Sequence, residues 1–267
     1  MDTVPDDLNF LSYARKAKAD LVILDRLDNA AEFVALLGGF AKVVTFEDLG
    51  DGAEVADMLI ADMYENPNVP DERQLKGMEN SILAPSFESV KRHIAFKEKV
   101  EEVLVLFGGT DPSNLAGKAL QALELMQFDG KVTVVRGLGA DLIDPDAYKL
   151  KLKVLSNVKN MPAVMEKADI ALSSAGRTIT ELASLGIPTI CMAQNDKELT
   201  HTHVATQNGV LMLGLGKLVS VDSLAAHLIE LVNNDELRFK LHERGLQATA
   251  GRSNDRIVRR ILKQIGF

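Results

Sequence analysis

Two α/β units built on parallel sheets are what this sequence predicts. Apolar runs of strand length recur through its 267 residues, and helix-period patterns fall between many of them, as βαβ units require. Two glycine-bearing turns stand where a strand hands over to a helix. Hydrophobic residues make up 46% of the chain, enough to cover both faces of a sheet.

The chain opens on an acidic stretch, residues 1–9, without the apolar run of a signal segment. The first strand-like run is 21–24, and Asp25-Arg26-Leu27-Asp28 follows it with no glycine. Runs at 42–46, 58–61 and 81–84 continue the series. Residues 1–90 therefore read as the later part of a doubly wound unit whose opening strand and glycine turn would stand before Leu21. Asp25, Glu47 and Asp48 close strands and read as turn residues. Charge is dense from Glu88 to Glu102, which places a boundary there and divides the chain into 1–92 and 93–267.

The second part carries runs at 103–107, 131–136, 153–155, 170–173, 189–193 and 210–213, which make a six-stranded nucleotide-binding unit. Its clearest helix is expected over 112–127, with Leu115, Ala119, Ala122, Leu123 and Met126 on one face. Asp111 is the expected N-cap and Pro112 suits the first turn. Beyond Val221 the pattern is helical. A last helix starts near Ser253 with Ile257, Val258, Ile261, Leu262 and Ile265 on one face. Its basic face, Arg256, Arg259, Arg260 and Lys263, reads as solvated surface.

The chemistry gathers at the two glycine turns. Gly108-Gly109-Thr110 offers backbone amides and a hydroxyl to a diphosphate or sugar. Ser173-Ser174-Ala175-Gly176-Arg177-Thr178 places Arg177 near a helix start, where a cation opposes the dipole and a bound anion would relieve it. Thr178 and Glu181 have capping-box spacing; the alternative gives Glu181 to the hydroxyls of a ribose. The polar loop after 189–193 supplies Gln194 and Asn195 for a sugar or phosphate, with Asn195 and His201 as the catalytic candidates. His201 and His203 stand two apart and would diverge on a helix, so no shared metal is expected. His93, His227 and His242 fall in helical or linker patterns without chemistry. Cys191, the single cysteine, lies in an apolar run as a core residue.

Formal charge of −8 argues against a nucleic-acid binder, and no apolar stretch reaches bilayer length. A cytoplasmic protein is expected.

The segments Leu106-Phe107-Gly108-Gly109-Thr110-Asp111-Pro112-Ser113-Asn114-Leu115 and Ser174-Ala175-Gly176-Arg177-Thr178 through Glu181 to Thr189 resemble the UDP-sugar hydrolases of pseudaminic acid biosynthesis (PseG). They resemble the spore-coat polysaccharide proteins (SpsG) more closely, and the MurG-type glycosyltransferases more distantly. The resemblance implies a GT-B fold of two Rossmann-type domains, the N-terminal one incomplete here. It also implies UDP held mainly by the C-terminal domain, metal-independent hydrolysis of a UDP-sugar, and no cofactor. That family opens with a Gly-x-Gly-His-like turn, and no such segment precedes Leu21. Two readings of this departure stand side by side, a fragment of a longer chain and a chain completed by another polypeptide or a second copy, since missing strands leave a sheet edge that invites pairing. A glycosyltransferase and a non-catalytic nucleotide-binding module are the alternative functions.

Overall fold

The computed structural model describes residues 7–90 and 96–266. The described chain forms two compact units: one from the residues up to Ile82 together with Arg252 onward, the other Leu83–Gly251. The expected boundary at 92/93 falls outside the described residues, as does His93.

The first unit contains α1 (Asp7–Lys16), β1 (Leu21–Asp25), α2 (Ala31–Gly38), β2 (Lys42–Phe46), a short α3 (Gly52–Val55), β3 (Met58–Ala61) and β4 (Gln74–Lys76). Its four strands pair in parallel in the order β1-β2-β3-β4. Val22, Leu24 and Val43 point to one face of this sheet and pack with Phe33, Val34 and Leu37 of α2. Val44, Met58, Ile60 and Leu75 make the other apolar face. The helix that covers this face is the last of the chain, α9 (Asn254–Ile265), through Ile257, Ile261 and Ile265 at four-residue spacing. Each fully buried side chain of this kind is worth about 1.5–3 kcal/mol. Ser253 caps α9 by accepting the Arg256 amide at 3.2 Å, at the start the sequence predicts. The basic face is not all solvated: Arg256 reaches Glu79 O at 3.4 Å, and Arg260 reaches Asn80 Oδ1 at 3.3 Å. The expected strand at 81–84 is absent. Ser81 is bonded to a side chain rather than a ladder, Ile82 packs into the first unit's core and Leu83 into the second's. The fourth strand is Gln74–Lys76 instead.

The second unit contains β5 (Glu102–Leu106), α4 (Leu115–Leu125), β6 (Lys131–Arg136), β7 (Lys151–Ser156), α5 (Pro162–Met165), β8 (Ile170–Ser173), α6 (Thr178–Ser184), β9 (Thr189–Ala193), β10 (Val210–Leu215), α7 (Val221–Asn233) and α8 (Asp235–Ala248). Six parallel strands run in the order β10-β9-β8-β5-β6-β7. Side chains alternate along β5. Val103 and Val105 join α4 and α7, while Leu104 and Leu106 join Met165 and Leu182 on the opposite face. Burial on both faces explains why this strand reads as an unbroken apolar run. β7 is an edge, and its exposed Lys151 and Lys153 discourage further pairing.

Strand order reverses direction between β5 and β8. From β5 the chain moves outward through β6 and β7, then returns so that β8 lies on β5's other side. The βα connections leaving β5 and β8 therefore diverge to opposite sides, opening a crevice at the carboxyl ends of these two strands.

Candidate functional site

Both glycine turns meet at that crevice. β5 pairs with β8 in the register Leu106↔Ser173, so the residues after each strand emerge side by side. Gly108 has φ +79°, a conformation suited to glycine, and a Cβ built there would lie 3.9 Å from Ser174 Oγ. Gly108, Gly109 and Thr110 are exposed, and their amides donate to no acceptor among the described residues. The loop after β6 supports them from behind. Gly139 N–H donates to Gly109 O at 2.9 Å, and a Cβ at Gly137 would meet the Gly109 and Gly108 carbonyls at 2.3 and 2.4 Å. A cavity of about 350 Å³ adjoins the turn, lined in part by Gly108, Asp111, Asn114, Arg136 and Gly137.

The first helix begins later than its sequence suggests. Asn114, at φ +46°, is the N-cap and accepts the Gly117 amide at 3.2 Å. Asp111 still serves the helix start, its carboxylate accepting Leu115 N–H at 2.8 Å and Ala116 N–H at 2.9 Å. These bonds hold Pro112 in the loop and saturate the amides at the head of α4. An anion at this turn is left with the amides of 108–110.

At the second turn, Ser173 is fully buried and Ser174 nearly so, while Gly176, Arg177 and Thr178 are half-buried. The capping box, one of the two readings that the Thr178 and Glu181 spacing allows, does not form. Arg177 precedes the helix in helical conformation without a side-chain cap, and Thr178 is its first residue. Gly176 O accepts Ile179 N–H at 3.1 Å, so the turn tightens before Thr178 reaches a capping position. Glu181 follows one turn on. Burial pushes its carboxyl up to about 7, against the pull of Arg177.

Gln194 and Asn195 are both tied to the scaffold. Gln194 Nε2 donates to Asp111 Oδ1 at 2.7 Å and to Phe107 O at 3.3 Å, lacing the loop after β9 to the first turn. Asn195 Oδ1 accepts the Glu198 amide at 3.1 Å. The two histidines converge rather than diverge, because His201 leaves a 3₁₀ turn in extended conformation. Their rings lie 5.6 Å apart, His201 Nδ1 at 2.5 Å from Ala175 O and His203 Nε2 at 3.3 Å from Gly176 O. His203 and Glu198 are absent from the residues that sequence reasoning selects. Asn195-x-x-Glu198 has capping spacing, and that signal could have found the glutamate. His242 and His227 bond Gly186 O at 2.6 Å and Ser223 O at 2.8 Å, local structural roles.

The first unit holds a buried acid cluster of its own at the ends of β2 and β3. Glu47, at φ +53°, accepts the amides of Asp62 at 3.1 Å, Met63 at 3.2 Å and Tyr64 at 2.9 Å. Ser81 Oγ donates to Asp62 Oδ2. Burial, then the Asp62 carboxyl, push Glu47 up to about 9, against the amides of Tyr64 and Met63. Asp48 accepts Asn29 Nδ2 at 2.7 Å and Gly50 N–H at 3.0 Å, as a turn-organising residue should.

Residues 103–255, more than half of the chain, match the glycosyltransferase family 28 C-terminal domain. The spore coat polysaccharide biosynthesis protein SpsG of Bacillus subtilis (strain 168) is 25% identical over 259 residues, 91% of this chain and 76% of that protein. Among solved structures, MurG of Acinetobacter baumannii superposes with a TM-score of 0.68 at 15% identity, covering 98% of this chain and 77% of that one. HepE of Anabaena, solved with UDP-glucose, gives a TM-score of 0.55 at 14% identity, covering 96% and 82%. No described helix is long and apolar enough to cross a membrane.

Proposed function

Since the chain belongs to the family of the glycosyltransferase family 28 C-terminal domain, we propose that it binds a UDP-sugar in the crevice between β5 and β8 and releases UDP from it in surface-glycan biosynthesis. The observation that carries this reading is the meeting of the two glycine turns at the point where strand order reverses. Both the SpsG relative and the UDP-glucose complex of HepE have names that agree with it.

In this reading the diphosphate rests on the amides of Gly108, Gly109 and Thr110 and of Gly176 and Thr178, with Arg177 opposite its charge. Glu181 accepts the ribose hydroxyls. Water adds to the anomeric carbon, and the bond from that carbon to the diphosphate oxygen breaks. UDP leaves with the bonding pair, and the water's proton is lost to solvent. Amides already aimed at the leaving diphosphate lower the barrier, because they are oriented before charge develops.

A second reading is glycosyl transfer, favoured by the family itself and by the MurG-like fold. The two differ in what attacks the anomeric carbon. UDP release from UDP-sugars, followed with and without sugar or lipid acceptors, tests both. Release by water alone supports hydrolysis. Release only with an acceptor supports transfer. UDP binding without turnover in either case would reduce the protein to a binding module.

A further inference from the structure

Segment 194–203 grips the backbone of the second turn from several sides. Glu198 Oε2 accepts both Gln194 N–H at 2.8 Å and Ala175 N–H at 3.2 Å. His201 Nδ1 and His203 Nε2 bond the next two carbonyls, of Ala175 and Gly176. A carbonyl only accepts, so both ring nitrogens carry the proton and donate. Among the described residues every peptide is trans, and in a trans unit the N–H points opposite to the C=O. Turning the Ala175 carbonyl toward His201 turns Gly176 N–H the other way. Turning the Gly176 carbonyl toward His203 does the same for Arg177 N–H.

A Cβ built at Gly176 would meet nothing within 4 Å, and glycine itself permits many backbone conformations. The plane that carries Gly176 N–H is held by His201 on the Ala175 carbonyl, whereas the next plane is shared between His203 and the helix start, where Ile179 N–H donates to Gly176 O at 3.1 Å. Glu198 anchors that segment, with its own amide held by Asn195 Oδ1. Its carboxylate charge is spent on two amides, which lessens its repulsion of a nearby anion.

We propose that Glu198 is a positioning residue of the diphosphate site: together with His201 it aims the Gly176 amide at the phosphate groups without touching the ligand. The inference rests on the reading that a diphosphate seats on this turn. The test is calorimetric titration of the intact chain with UDP and with uridine, for wild type, Glu198→Ala, Glu198→Gln and His201→Ala, each checked by thermal melting. Glutamine keeps an acceptor oxygen and alanine does not. The expected result is a loss of about tenfold or more in UDP affinity for Glu198→Ala and His201→Ala, with uridine affinity unchanged and Glu198→Gln largely restored.

Equal losses for UDP and uridine would make the role merely structural and overturn the proposal. Tighter UDP binding by Glu198→Ala would also overturn it, by showing that the carboxylate occupies the phosphate's place. Unchanged UDP binding in both alanine variants would do the same. Wild type that binds UDP no better than uridine would remove the diphosphate reading itself, a failure visible before any variant is made.

Discussion

Replacing Glu181 by glutamine should abolish a pH dependence of nucleotide binding that the wild type shows. Burial holds this carboxyl at about 7. At that value roughly a tenth of the chains carry it ionised at pH 6, and about nine tenths at pH 8. The ionised group offers both oxygens to the vicinal hydroxyls of a ribose, whereas the protonated acid uses one oxygen as a donor. UDP affinity should therefore rise up to about tenfold from pH 6 to pH 8. Glutamine preserves shape and one acceptor but does not titrate. At pH 8 the variant should lose about 1.5–3 kcal/mol, the worth of a hydrogen bond to a charged group. Calorimetric titration at constant ionic strength across this range measures both quantities. The ligand's own phosphate titrates equally with either protein, so the difference between the two slopes isolates Glu181. Equal slopes for wild type and variant would refute the reasoning.

Glu47 makes a stability prediction of the opposite sign. Its carboxyl is raised from 4.5 to about 9 by burial and Asp62, so between these values the folded chain keeps a proton that the unfolded chain releases. Glu47's contribution to stability is full below about 4.5 and is lost as pH rises toward 9; thermal melts should show this decline in wild type and a flatter profile over that range in Glu47→Gln. Gly137→Ala forces a Cβ to within 2.3 Å of Gly109 O, so it should cost about 1–3 kcal/mol in denaturant unfolding and weaken UDP binding together; wild-type values for both would show that this contact does not shape the turn. Cys191 is fully buried, and burial pushes its thiol up, so a thiol reagent should react only as fast as the chain unfolds; rapid labelling under native conditions would contradict the placement of β9 in the core.

Local signals carried most of the fold. Unbroken apolar runs marked the strands buried on both faces, and Ser253 marked the last helix start because capping is a local interaction. What escaped was settled by distant contacts. The apolar stripe of α9 says that it will be buried, but nothing nearby in sequence says that its cover is the first unit's sheet. β4 has one buried apolar residue, Leu75, and so no periodic signature. At the site, both glycine turns were legible because close backbone approach demands small residues. Capping spacing from Asn195 marks Glu198 as a local cap only; its bond to Ala175, like that of His203 to Gly176, was not legible, since each acts on a backbone more than twenty residues away.

The central claim is that a nucleoside diphosphate lies across the two turns at the β5–β8 crevice. Titrating isotopically labelled protein with UDP and following the backbone amide resonances tests it most directly. The account predicts saturable shifts concentrated at Gly108, Gly109, Thr110, Gly176, Arg177 and Thr178. Saturable shifts confined to other parts of the chain, or none at all, would contradict it.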